Sequence, residues 1–272
     1  MRNYVLPNIN FVDKYLKISR SKRDNRRTIL AGIELQVLNS FIQYDNSIGL
    51  WNITSIAMNG SPESEALLHC YVVRNKAMEV LRGDIFSAQS QYLKNTCQYC
   101  QIDTPLTLDH FLEKSQFEEF AAYGKNLIPC CYSCNLGRPQ GVIGNNGQQI
   151  INFYYDQIPV ERFLFCNLTI VDGVPVADYF LQQGNIVHPI FSTIQNHFVN
   201  LSLLGRYNSK CTDDLEFIID KCNGSFTTAE EASYYFIEEG NRLSRVFSLN
   251  HWKTALYYGV AYDLSFLNSI LR

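Results

Sequence analysis

The sequence predicts an α+β chain: a small strand–strand–helix core stapled by cysteines, flanked by mainly helical N- and C-terminal regions, with a small β element after the core. Three observations lead there. Two Cys-x-x-Cys pairs, Cys97/Cys100 and Cys131/Cys134, bracket short alternating apolar stretches. Apolar residues recur at helical spacing before residue 90 and again after residue 189. Between them lie β-branched and aromatic runs interrupted by Asp172-Gly173, a hairpin turn signal. Residues 1–90 therefore read as a helical region, 91–140 as the core, and 141–272 as a β-hairpin plus helical region.

In the N-terminal region, residues 28–44 carry Leu30, Ile33, Val37, Leu38 and Phe41 on one side, the stripe of an amphipathic helix. Ahead of it, Lys14, Lys17, Arg20, Lys22, Arg23, Arg26 and Arg27 are opposed only by Asp13 and Asp24. This basic cluster reads equally as a solvated, loosely ordered lead-in and as a phosphate-contacting surface. The turn residues Asn59-Gly60-Ser61-Pro62 precede a second helix over 64–81, with Leu67, Cys70, Tyr71, Met78 and Leu81 inward. Pro62, Glu63 and Glu65 suit its start. Residues 84–96 continue as helix toward the first cysteine pair.

Within the core, residues 106–112 alternate and read as a strand with His110 near its end. Residues 126–129 form a second strand-like piece, and Asn135 opens a short helix. Beyond it, 150–155, 163–171 and 174–180 read as strands, the last two joined by Asp172-Gly173. Helices follow over 190–207, 213–222, 228–247 and 252–271. Thr228 with Glu231 forms a capping box, and Asn223-Gly224 is a stop signal for the preceding helix. Trp252 reads as helix–helix core packing ahead of an aromatic anchor for a partner.

Composition narrows the function classes. No apolar run approaches the roughly 18 residues that cross a bilayer, and residues 1–7 lack the apolar core of a signal peptide, so a cytoplasmic protein is expected. In a reducing compartment, nine cysteines are ligands or buried hydrophobes. Cys97, Cys100, Cys131 and Cys134 fit a structural Zn²⁺ site, while Cys70, Cys130, Cys166, Cys211 and Cys222 lack partners at ligand spacing and are assigned to core packing. The net charge of −3 is uneven: residues 1–90 hold 11 basic against 8 acidic side chains, and residues 141–272 hold 8 against 13. A protein that grips nucleic acid unaided usually presents a basic face, and this chain is short of that charge.

The residues trapped between the cysteine pairs carry the chemistry. Asp109-His110, then Asn126, then Asn135 directly after the last cysteine, resemble the pattern of the HNH endonucleases, in the variant ending in Asn. The resemblance implies a ββα-metal core in which His110 is the general base that deprotonates the attacking water. Asp109 and Asn135 would hold one Mg²⁺ or Mn²⁺ through oxygen, and Asn126 would bridge backbone groups around the His110 loop. The run from Asp109 to Ser115 is similar to a bacterial subgroup written Asp-His-(Phe/Tyr)-Leu-Pro-Lys-Ser, with Glu113 in place of the Pro and Lys114 as a candidate phosphate contact. Some members of that subgroup are nuclease subunits of two-gene anti-phage systems of the Septu type. The implied function is therefore DNA cleavage in antiviral defence with an ATPase partner. The competing reading is a non-catalytic, zinc-stapled module that binds nucleic acid or protein.

Overall fold

The structure is a computed structural model that describes residues 1–49, 51–56, 60–73 and 75–271; Asn59 of the expected turn lies outside them. It is mixed: helices with three two-stranded antiparallel sheets among the described residues. The chain forms two compact units, one of residues 3–99 with 103–157, the other of residues 1–2 and 100–102 with 158–272.

The first unit contains α1 (Phe11–Arg20), α2 (Asp24–Gly32), α3 (Glu34–Asn46), α4 (Pro62–Val72), α5 (Lys76–Ser87) and α6 (Gln91–Asn95). These are followed by β1 (Thr107–His110), β2 (Leu127–Cys130), α7 (Tyr132–Gly137), β3 (Ile143–Gly144) and β4 (Gly147–Gln148). The basic stretch, for which a loosely ordered lead-in is one of two readings, is largely helical. Asn10 caps α1 by accepting from the Asp13 amide, and the long cations find internal partners: Lys14 with Asp84, Arg20 with Glu34. Lys22 is buried and donates to the carbonyls of His69 and Val73 at the end of α4. Those bonds satisfy carbonyls that a helix end leaves without partners.

The two long helices expected here are each divided. Leu30, Val37 and Phe41 are all buried as the stripe requires, but the helix is interrupted at Ile33, after the weak helix former Gly32. The second divides because Asn75 leaves helical geometry and caps α5, accepting from the Met78 amide at 2.9 Å. The core of the unit is aromatic. Phe41 stacks on Tyr123 with ring centroids 3.9 Å apart, Tyr44 meets Phe120 edge-on, and Trp51 packs on Phe111. This cluster grips both ends of the connection from β1 to β2.

Residues 150–155 are not a strand. The Asn152 side chain accepts from the Tyr154 amide, and Asp156 accepts from the Asn152 amide, so local side chains take the amides that a ladder would need. The apolar character of Ile150, Ile151 and Phe153 is used in burial instead.

The second unit begins with the hairpin β5 (Leu164–Val171) and β6 (Val174–Leu181), continuing through α8 (His188–Asn200), α9 (Leu203–Lys210), α10 (Thr212–Ser225), α11 (Ala229–Val246), α12 (Trp252–Tyr262) and α13 (Leu264–Ile270). Asp172 and Gly173 both have positive φ, 51° and 79°, which gives the two-residue turn its hand. Thr228 caps α11 by accepting from the Glu231 amide, whereas Glu231 reaches Thr227. The Asn223-Gly224 stop acts late: α10 runs through both residues to Ser225. The expected helices 190–207 and 252–271 are each divided, at Ser202 with φ 50° and at Asp263, whose carboxylate accepts from the Phe266 amide. Trp252 is buried and donates its indole N–H to the Gln101 carbonyl. Gly259 lets α12 lie directly on β5, since a Cβ there would stand 2.4 Å from the Cys166 carbonyl oxygen. Among the described residues no helix is long and apolar enough to cross a membrane.

Candidate functional site

The four cysteines of the two pairs converge. Their Sγ atoms all lie within 4.8 Å of one another and all four residues are buried, so the group could hold a metal ion. Tetrahedral thiolate coordination at a metal–sulfur distance of about 2.3 Å places sulfurs about 3.8 Å apart, which this cluster fits. Backbone amides point at the sulfurs: Cys131 donates to Cys97 Sγ at 3.2 Å and Ile102 to Cys100 Sγ at 3.4 Å. Gln101, at φ 58°, turns the chain just after the first pair. Cys70, Cys130, Cys166, Cys211 and Cys222 are buried apart from this group.

β1 and β2 pair with Asp109 opposite Ile128 and His110 opposite Leu127. His110 Nε2 lies 2.9 Å from the Ala121 carbonyl oxygen. A carbonyl only accepts, so Nε2 carries the proton and Nδ1 keeps its lone pair. Burial pushes the His110 pKa down to about 3, so the ring is neutral at ordinary pH. The Tyr71 ring meets it edge-on at 4.2 Å. Asn126 is fully buried and spans the loop: its side chain accepts from the Leu112 amide at 2.7 Å and donates to the Leu112 carbonyl at 2.9 Å. The Asn126 backbone carbonyl accepts from the Phe111 amide.

Asp109 is buried and heavily partnered. Its carboxylate accepts from the Tyr99 hydroxyl at 2.9 Å and from Arg138 Nη1 at 2.9 and 2.8 Å. Arg138 also donates to the carbonyls of His110 and Phe111, and Glu113 lies 3.9 Å from it. Glu113 in turn accepts from the Gly141 amide, holding the segment after Arg138. Asn135 lies inside α7, three residues after its start, where a helix opening was expected. Its Nδ2 donates to Thr107 Oγ1, whose own proton goes to the Cys130 carbonyl. That relay orients the amide, turning Asn135 Oδ1 away from Thr107.

Asp109, His110, Lys114, Asn135 and Arg138 line one open cleft of about 300 Å³, with Leu68 of α4 on its wall. Asn126 is not among its lining residues. A carboxylate and an amide oxygen on one cleft are donors of the type a hard divalent cation takes. Sequence reasoning missed Tyr99 and Arg138. Tyr99 stands inside the first cysteine pair and Arg138 three residues beyond Asn135, positions that signal proximity to the site but not which group they bind.

Comparison with known protein families, curated proteins and solved structures finds no match to this chain. The cleft is therefore read from its own chemistry.

Proposed function

We propose that this chain is a metal-dependent endonuclease of the HNH type, hydrolysing DNA phosphodiester bonds. The observation that carries the reading is the shared cleft: His110, Asp109, Asn135 and Lys114 line one space in a chain that also gathers four cysteines into one cluster. His110 Nδ1 takes the proton of the attacking water, while the Nε2 bond to Ala121 holds the ring in the tautomer that can do so. Asp109 and Asn135 would hold Mg²⁺ or Mn²⁺, which when bound supplies charge stabilisation at the scissile phosphate and the departing oxygen. Tyr99 and Arg138 orient the carboxylate, as outer hydrogen bonds commonly do for metal ligands. Lys114 offers a phosphate contact. Zn²⁺ in the four-cysteine cluster would be structural.

DNA is gripped with help. Lys17, Arg23, Arg26 and Arg27 are exposed, whereas Lys14, Arg20 and Lys22 have internal partners. These exposed cations would attract a phosphate backbone, and an ATPase partner would supply further affinity and control in an anti-phage assembly. The test is incubation of supercoiled DNA with the purified chain and Mg²⁺ or Mn²⁺, with and without the product of a neighbouring ATPase gene. Metal-dependent nicking that His110→Ala abolishes is expected; cutting by the variant at the wild-type rate removes His110 from the mechanism.

One observation favours the non-catalytic alternative. Arg138 already engages both Asp109 oxygens, as a purely structural ion pair would. Under that reading neither metal nor partner elicits cutting, yet the chain still binds nucleic acid or protein.

A further inference from the structure

A second cavity, of about 610 Å³, lies between the β5–β6 hairpin and the segment running from α12 into α13. Its volume is that of a pocket for a small organic ligand. Two aromatic pairs form its walls. Phe165 and Phe180, opposite each other in the hairpin register, stack with centroids 5.6 Å apart, and Tyr258 and Tyr262 stack at 5.9 Å. Arg162 joins the two walls: its guanidinium carbon sits 4.2 Å from the Phe165 ring centre and 5.1 Å from that of Tyr258.

Arg162 is only partly exposed, and its Nε donates to the Leu164 carbonyl at 3.2 Å. Among the described residues it forms no ion pair with a carboxylate. Burial lowers its pKa, with only Tyr258, Tyr262 and Cys166 opposing. Stacking on aromatic faces recovers part of the desolvation cost of a guanidinium and fixes its plane, and leaves its terminal donors free to exchange water for an anion. Asn167, also lining the cavity, adds an amide able to read polar ring edges, while Asp263 on the same lining is committed at one oxygen to the Phe266 amide.

We propose that this cavity binds a nucleoside phosphate, with the phosphate on the Arg162 terminal nitrogens and the planar base against the aromatic walls. The site is separate from the Asp109–His110 cleft and does not depend on the nuclease reading. The same chemistry is offered by a free mononucleotide and by the 5′-phosphorylated end of a strand. A planar base offers these walls a face of the kind that stacks at about 1–3 kcal/mol per base, and a bare inorganic anion lacks it.

Calorimetric titration of the full chain, without divalent cations, tests this with AMP, GMP, CMP and UMP, with adenosine and inorganic phosphate alone, and with a trinucleotide carrying or lacking a 5′-phosphate. Saturable binding of one equivalent of at least one phosphorylated nucleotide is expected, with adenosine and phosphate each weaker by about tenfold. Arg162→Gln lowers affinity about tenfold or more, and so does Tyr262→Ala, at a residue that is 65 % exposed and so contributes little to the core. Tighter binding of the phosphorylated trinucleotide than of any mononucleotide assigns a strand end; the reverse assigns a free nucleotide. Absence of saturable binding by every phosphorylated probe, or binding equal in wild type and both variants, overturns the proposal.

Discussion

Tyr99, flanked by the two cysteines of the first pair, donates its hydroxyl to Asp109 Oδ2 at 2.9 Å, so the sulfur cluster and the cleft share a hydrogen bond. Asn135 makes the corresponding link at the second pair, directly after Cys134.

Replacing Tyr99 with Phe removes that bond and leaves a buried carboxylate short of one donor. A loss of about 1–3 kcal/mol in stability is expected, with metal content at the cysteines unchanged. Denaturant unfolding and metal analysis on the same preparation check both halves. Unchanged unfolding would mean the bond contributes nothing net.

Cys97→Ser or Cys134→Ser should unfold the segment around the cleft, because structural zinc binding supplies roughly 10 kcal/mol or more of folding free energy. Chelation of the wild type should act in the same direction. Wild-type melting behaviour and full zinc stoichiometry in the variants would show the cysteines to be packing residues.

Arg138→Met strips the buried Asp109 carboxylate of its cation, and about 3–5 kcal/mol of stability should go with it. A divalent cation that binds Asp109 should recover part of the loss. The measurement is the melting temperature with and without Mn²⁺, and a variant as stable as wild type in both conditions refutes the role given to this ion pair.

His251 predicts a pH effect remote from the cleft. Its Nδ1 accepts the Lys253 amide at the start of α12, and burial first, then nearby positive charge, holds its pKa well below the ordinary histidine value. The unfolded chain takes up a proton near pH 6.5 while the folded chain does not. Stability tied to this group is thus complete above about pH 6.5 and declines as pH falls, by up to about 1.4 kcal/mol per pH unit. In His251→Asn, which keeps a capping acceptor, the stability curve should lose this slope, so the wild-type-minus-variant difference should fall as pH falls from about 6.5 to 5. Parallel curves for the two proteins would sink the assignment.

Arg26→Glu with Arg27→Glu should weaken DNA binding across sequences and flatten its salt dependence by about one unit of log–log slope for each phosphate no longer neutralised. Filter binding at several salt concentrations reads this directly. An unaltered slope would assign these exposed arginines to solvent.

The features read correctly from the sequence are those written in neighbouring residues. The spacing of the cysteine pairs announced a cluster, Asp172-Gly173 set the hairpin turn, and Thr228 with Glu231 marked the start of α11. Each is governed by backbone geometry within a few residues, so its signal is local.

Tertiary structure decided the rest. The partner of Asp109 is Arg138, 29 residues away, and no spacing rule connects a carboxylate to a guanidinium across a loop. Long helical patterns were divided at Ile33, Asn75, Ser202 and Asp263, where caps and packing outweighed a continuous apolar stripe. The apolar run at 150–155 met the composition of a strand, but Asn152 and Asp156 claimed its amides. Composition states which groups must leave water; which of them meet depends on the entropy of closing loops set against the burial and hydrogen bonding that closure brings, and that balance is struck only in the folded chain.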